Sequence, residues 1–119
     1  MEYTVVETQQ GRYVEVISTP MPIRTEQDAL DLVALSGEHD TNRLMIHAEA
    51  LSEEFFRLRT GVAGAVLQKF VNYSVRTAVL LPDASAMRGK FRDMAAEAGR
   101  GSQFRIFESR QDAETWLLK

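Results

Sequence analysis

Apolar and polar residues follow two spacings along this chain, one typical of strands and one typical of helices. Two β-rich runs at residues 3–7 and 13–17 flank Gln9-Gln10-Gly11, and this glycine can take the positive φ that a hairpin loop requires. The first two strands are therefore predicted to form a hairpin. Further strand-like runs lie at residues 43–47, 75–81 and 104–107. The run at 75–81 is apolar on both faces, as is usual for a central parallel strand.

Two capping patterns mark the starts of helices. Thr25 with Asp28, and Ser109 with Asp112, each place a hydroxyl three residues before a carboxylate, as in a capping box. The first pattern predicts a helix that ends at Gly37, and the second predicts the last helix. Their apolar stripes comprise Ala29, Leu30, Val33 and Leu35 in the first helix, and Ala113, Trp116 and Leu117 in the last.

Two more helices are predicted between these. One begins at Thr60 and ends near Asn72, and the other follows Pro82-Asp83 and ends at Gly99. The apolar positions of the Thr60 helix are Val62, Ala63, Val66, Leu67, Phe70 and Val71. The order β-β-α-β-α-β-α-β-α predicts an α/β fold, a mixed sheet with helices packed on it. We expect its three C-terminal strands to be mutually parallel, with Val79 and Ile106 buried.

The composition is that of one globular domain spanning residues 1–119. Cysteine is absent, which excludes disulfides and thiolate chemistry. The net charge of −3 argues against a nucleic acid held by phosphate contacts. No apolar run approaches the roughly 20 residues that cross a bilayer, and no basic segment precedes an apolar one near the start. We therefore expect a cytoplasmic protein without membrane or nucleic-acid partners.

The carboxyl ends of parallel strands are where ligands usually bind in open α/β sheets. These ends are predicted at residues 47–59 and 81–85. The helix that starts at Thr60 directs the free N–H groups of its first turn, beginning with Gly61, toward this edge, and Arg59 adds positive charge. Two interpretations remain open: a site for an anion, or a helix cap in which Thr60 satisfies a backbone amide.

His47 is the other candidate at this edge. The segment His47-Ala48-Glu49 places two potential metal ligands on one side of an extended chain. Two ligands are fewer than the three that a catalytic zinc ion normally needs, and the cysteines of zinc deaminases are absent. Ser52-Glu53-Glu54 is typical of a helix cap, and the sequence has no phosphate loop or nucleophile elbow. We expect no metal and no cofactor.

The block from Phe55 to Gly64, FFRLRTGVAG, continues as LQKFVNY at 67–73 and resembles a small bacterial family known as domain of unknown function 4180. Phe91-Arg92-Asp93 and residues 97–101 add to this resemblance, which spans most of the chain. The element order also resembles the STAS fold of anti-sigma-factor antagonists. These resemblances imply a single STAS-like domain and no particular activity.

STAS proteins carry an Asp-Ser-Ser-Gly motif at the head of their second main helix, where a kinase phosphorylates a serine. The matching segment here is Leu58-Arg59-Thr60-Gly61, in which Thr60 supplies the hydroxyl. We expect a binding or regulatory module rather than an enzyme, acting through a protein partner or a small anionic ligand. Its expected binding residues are Arg59, Thr60, Gly61 and His47. Two alternatives remain open: a small enzyme with His47 as acid/base and the Thr60 helix start as oxyanion site, and a structural subunit that pairs through an edge strand.

Overall fold

The computed structural model describes residues 1–83, 87 and 89–119, apart from the side chain of Lys90. The predicted strand end at 81–85 therefore lies partly outside the described residues. Within the described ranges, one five-stranded sheet has the order β1-β2-β3-β4-β5. Its strands are β1 (Glu2–Thr8), β2 (Gly11–Ser18), β3 (Arg43–His47), β4 (Arg76–Leu80) and β5 (Phe104–Phe107).

The sheet is mixed, as predicted. Strands β1 and β2 form an antiparallel hairpin, and Gly11 at its turn has a φ of 147°. Strands β2 to β5 are parallel, and each pairs with the next strand in sequence. The α/β class and the parallel arrangement of the three C-terminal strands are thus confirmed.

The described part of the chain contains four α-helices. They are α1 (Glu26–Glu38), α2 (Val62–Asn72), α3 (Gly89–Ala98) and α4 (Arg110–Leu117). Three short 3₁₀ turns connect β3 to α2, at Ala48–Ala50, Glu53–Phe56 and Leu58–Thr60. Successive right-handed crossovers that proceed in one direction place their helices on one face of a sheet. Helices α1, α2 and α3 occupy that face, whereas α4 packs on the other.

Side chains on the two faces of the sheet form two separate cores. The larger core joins the first three helices to alternate strand residues such as Val14, Ile46 and Val79. The smaller core joins α4 to the intervening residues of the central strands. Its buried members are Tyr13, Met45, Ala78, Ala113, Trp116 and Leu117, so the predicted apolar stripe of the last helix is confirmed. A helix of eight residues covers only part of this face, which leaves room there for polar groups.

Helix α1 starts with the predicted capping box, since the Thr25 side chain accepts from the amide of Asp28. The predicted stripe of this helix is partly wrong. Leu32 and Ser36 are buried together with Ala29, while the other three predicted positions are only half-buried. The helix also continues through Gly37 to Glu38, because a glycine near the end of a helix costs too little to stop it there.

Helix α2 begins at Val62, two residues later than predicted, because Gly61 has a φ of 76° and lies in the left-handed region. Phe70 is buried as expected, but Val71 is 48% exposed, so its assignment to the buried stripe is wrong. Ile106 is half-buried rather than buried. It belongs to the edge strand β5, which has a paired neighbour on one side only.

Candidate functional site

Three charged or polar side chains meet on the face of the sheet that α4 covers. Alternation along β2 places Glu15 on the same face as Tyr13, and His47 is the last residue of β3 on that face. Arg110 is the first residue of α4, so the connection from β5 brings it to the same place. We call Glu15, His47 and Arg110 the acid–base cluster.

Glu15 lies at the centre of the acid–base cluster and is 6% exposed. Its Oε2 lies 2.7 Å from Nε2 of His47 and accepts from Nε of Arg110 at 3.1 Å. Its Oε1 accepts from Nη2 of Arg110 at 2.7 Å. The arginine therefore binds both carboxylate oxygens in a fork, an arrangement that fixes the orientation of both groups.

Tyr13 links the acid–base cluster to the body of α4. Its hydroxyl accepts from Nη2 of Arg110 at 3.2 Å and donates to the carboxylate of Glu114. Burial raises the pKa of Tyr13, and the hydrogen bond to Glu114 raises it further, so the phenol stays protonated at neutral pH. Glu15 of β2 is thus held by His47 of β3 and by Arg110 of α4, and Tyr13 holds Arg110 in turn.

The hydrogen bonds from Arg110, and to a smaller extent the contact with His47, lower the pKa of Glu15 against the opposing effect of burial. The pKa of Arg110 is raised, chiefly by the same hydrogen bonds to Glu15. The carboxylate is thus charged at neutral pH and has no proton to donate. Nε2 of His47 therefore carries a proton in the hydrogen bond between them, and Nδ1 is the nitrogen that holds the lone pair when the ring is neutral.

Nδ1 of His47 is not fully buried. None of the described residues forms a hydrogen bond with it, and the fully buried polar atoms without a partner among them belong to Arg76, Thr77 and Gln103. The His47 side chain is 22% exposed. The acid–base cluster therefore presents one oriented imidazole nitrogen at the carboxyl edge of the sheet.

The segment Arg59-Thr60-Gly61 lies elsewhere. The Thr60 hydroxyl donates to the carbonyl oxygens of Glu54 at 2.7 Å and Arg57 at 2.8 Å, and accepts from the amide of Val62 at 3.2 Å. The hydroxyl thus joins the last 3₁₀ turn to the first residue of α2, but the N-cap residue of this helix is Gly61, which has no side chain, so Thr60 is not its cap. Arg59 is exposed and forms no ion pair with a described residue.

The structure does not bring the four predicted binding residues together. His47 faces α4, whereas Arg59, Thr60 and Gly61 precede α2, which packs on the opposite face of the sheet. The enzyme alternative joined His47 to the Thr60 helix start, and this pairing has no support in the geometry. Sequence reasoning missed Glu15, the partner that His47 does have, and Arg110, which binds the same carboxylate. A glutamate at an inward position of an otherwise apolar strand was the available signal.

Replacing Thr60 with alanine is expected to lower the free energy of unfolding by about 1 kcal/mol, the usual net contribution of a side-chain hydrogen bond. Urea denaturation of Thr60→Ala and Thr60→Ser measures this effect, and the serine variant is expected to keep most of the stability. Equal losses in both variants would show that the hydroxyl does not stabilise the turn.

A second polar surface lies between α3 and β5. A groove of about 420 Å³ is lined by eight described residues, three of them arginines. They are Met87, Arg92, Ala95, Ala96, Gly99, Arg100, Arg105 and Ile106. We call this the arginine groove.

The three guanidinium groups of the arginine groove are exposed, and none forms an ion pair with a described residue. Arg92 donates to the carbonyl oxygen of Met87 at 3.3 Å. Arg105 packs along Gly99, where a Cβ would lie 3.6 Å from its Cγ, and its Cζ lies 5.4 Å from the centre of the Phe107 ring. The stem of Arg105 thus passes Gly99, and its guanidinium lies near Phe107.

Other kinds of site find no support in the described residues. They contain no group of three or more His, Asp or Glu side chains placed to hold a metal ion. In the same part of the chain, no helix is both long and apolar enough to cross a bilayer.

Comparison with known proteins gives a family and no further relative. The model of the family described as domain of unknown function (DUF4180) matches residues 8–117. This match confirms the resemblance found around Phe55–Tyr73. No curated protein and no solved structure matches the chain.

Proposed function

We propose that this chain, which belongs to the DUF4180 family, is a cytoplasmic, non-enzymatic binding module that holds a small anionic ligand in the arginine groove. The observation that carries this proposal is the charge of the groove. Three arginine residues line it, and its described lining contains no carboxylate. The order of strands and helices supports a STAS-like fold as part of the same proposal.

The chemistry of the lining favours a phosphate or carboxylate group. A guanidinium presents a planar fork of N–H donors that matches both anions and binds them in a bidentate manner. The net charge of the chain is −3, so a cluster of arginines without an ion pair to a described residue is a local feature rather than a consequence of overall charge. A site of this kind is expected to weaken as salt increases.

The size of the groove favours a small molecule. Ligand sites commonly have volumes of about 300–1,000 Å³, and the arginine groove lies at the lower end of this range. Met87, Ala95 and Ile106 supply apolar surface beside the arginines. A compact ligand with an anionic group attached to an apolar part therefore fits the lining best.

The segment at Arg59 is the competing anion site. It offers one guanidinium beside the start of α2, but the Thr60 hydroxyl and the Val62 amide are already paired with each other. One exposed charge near a helix end contributes only about 0.3–1 kcal/mol. Three guanidinium groups around one groove supply more donors, which is why we place the ligand there.

Isothermal titration calorimetry with pyrophosphate as the probe tests this proposal. We expect saturable binding to the unmodified chain, and binding at least roughly tenfold weaker in the Arg100→Ala/Arg105→Ala double variant, because each lost charge-assisted hydrogen bond is strong. Binding is expected to weaken further in both proteins when salt is raised.

The Arg59→Ala variant is the matched control, since it also removes an exposed arginine that has no ion pair with a described residue. Its affinity for pyrophosphate is expected to stay within about twofold of the unmodified chain. Loss of binding in Arg59→Ala with retention in the double variant would move the site to Arg59–Gly61. Absence of pyrophosphate binding in all three proteins would overturn the proposal and favour a protein partner.

A further inference from the structure

The acid–base cluster has features that the proposed function does not use. It lies on the α4 face, and none of its three residues lines the arginine groove. A strand glutamate that is 6% exposed and bound to both a histidine and an arginine is a costly arrangement for a module that needs only a stable fold.

The cluster orients the His47 ring for reaction at one atom. Nε2 lies 2.7 Å from the carboxylate of Glu15, so in the neutral ring the lone pair lies on Nδ1, which is not among the fully buried atoms without a partner. A carboxylate that holds the far nitrogen of an imidazole raises the basicity of the near one. Histidine is among the side chains that form covalent intermediates in this way.

Arg110 supplies a cation on the carboxylate that holds this ring. Its Nε and Nη2 are used by Glu15 and Tyr13, but Nη1 has no hydrogen-bond partner among the described residues. The two N–H groups on Nη1 are thus available to an incoming anion, and the Arg110 side chain is 48% exposed. Guanidinium groups stabilise transferring phosphoryl groups because charge spreads over the phosphoryl oxygens.

We propose that His47 is a phosphoryl-acceptor site, in which Nδ1 takes a phosphoryl group from a small donor with a good leaving group. The Nδ1 lone pair forms a bond to phosphorus as the bond between phosphorus and the leaving group breaks. With phosphoramidate in its zwitterionic form, the electron pair of the broken P–N bond leaves on ammonia. The ring then carries a positive charge. The hydrogen bond from its Nε2 to the negatively charged carboxylate of Glu15 stabilises that charge.

The chain contains a matched control for this chemistry, because His39 is its one other histidine. His39 Nε2 lies 3.4 Å from the hydroxyl of Tyr3, a neutral group, and no carboxylate holds its ring among the described residues. If exposure alone decided reactivity, both half-buried histidines would react alike. If the carboxylate and the guanidinium decide it, His47 reacts faster.

The test is incubation of the full chain with phosphoramidate near neutral pH, followed by intact mass and fragment analysis without acid. We expect a gain of about 80 Da, one phosphoryl group, located on His47 and lost on treatment with acid or hydroxylamine. His39→Gln is expected to be labelled like the unmodified chain, and His47→Gln to lose the fast-reacting site.

The Glu15→Gln variant tests the role of the carboxylate and is expected to react roughly tenfold more slowly at His47. Circular dichroism shows whether each variant is folded. If a variant is not folded, the labelling of His47 compared with His39 in the unmodified chain still tests the proposal. Labelling of His39 at an equal or higher rate, or no labelling of His47 while free imidazole reacts, would overturn the proposal. An unchanged rate in a folded Glu15→Gln would do the same. None of these outcomes depends on pyrophosphate binding at the arginine groove.

Discussion

Replacing Phe70 with alanine will lower the free energy of unfolding by roughly 3–5 kcal/mol, the usual cost of removing a buried aromatic side chain. Phe70 is 2% exposed and lies in α2, on the side that faces the larger core. The side chain packs in the cluster that also holds Val66 and Val75, so its removal leaves a cavity that few neighbours can fill. The loss combines the transfer free energy of the ring with the cost of this cavity.

Urea denaturation of Phe70→Ala and Val71→Ala measures the effect and supplies its control. Val71 is the next residue in the same helix and is 48% exposed, so its truncation is expected to cost less than about 0.5 kcal/mol. A loss below about 1 kcal/mol in Phe70→Ala would show that the ring does not contribute to the core.

The contrast between these two residues shows how far the sequence predicts the fold. The repeat of apolar residues correctly predicts that α2 exists and that Phe70 is buried, because the spacing of 3.6 residues is a local property. It does not distinguish Val71 from Phe70, since an apolar residue on the exposed side looks the same in sequence. The same uncertainty in phase affected α1, where Leu32 is buried and was not predicted.

The parallel direction of the three C-terminal strands was predictable for a different reason. It follows from the alternation of strands and helices, because a helix between two strands returns the chain to the same end of the sheet. The partial exposure of Ile106 was not predictable in this way. It depends on β5 lying at the edge of the sheet, which the pattern of one strand does not reveal.

The acid–base cluster could not be assembled from the sequence. Glu15 and Arg110 are 95 positions apart, and His47 lies between them in the chain. Their contact follows from where α4 packs, and the eight-residue helix has no local signal for the face of the sheet that it will cover. His47 was predicted as a site residue because it ends a strand. Glu15 was not predicted, because it lies within a strand whose other residues are mostly apolar.

Replacing Glu15 with glutamine is expected to lower the free energy of unfolding near neutral pH by on the order of 1–3 kcal/mol, the range for hydrogen bonds to charged groups. Glutamine keeps the shape of the side chain but loses the charge that pairs with Arg110. The loss stays at this level because the Arg110 side chain is 48% exposed, and solvent screens the pair from that side. Exposed Glu7, which pairs with Arg12 on the hairpin, is the control, and Glu7→Gln is expected to cost less than about 1 kcal/mol.

The stability difference between the unmodified chain and Glu15→Gln is expected to narrow in acid. Because Arg110 and His47 lower the pKa of Glu15 in the folded protein, the unfolded chain takes up this proton first as the pH falls. The stabilisation is therefore present above the ordinary glutamate pKa of 4.5 and is lost as the pH falls below it toward the folded value. Urea denaturation near pH 7 and near pH 3.5 measures both differences, with Glu7→Gln as the reference for general acid effects. A difference that stays constant or grows on acidification would mean that the charge of Glu15 does not stabilise the fold, and that its packing alone does.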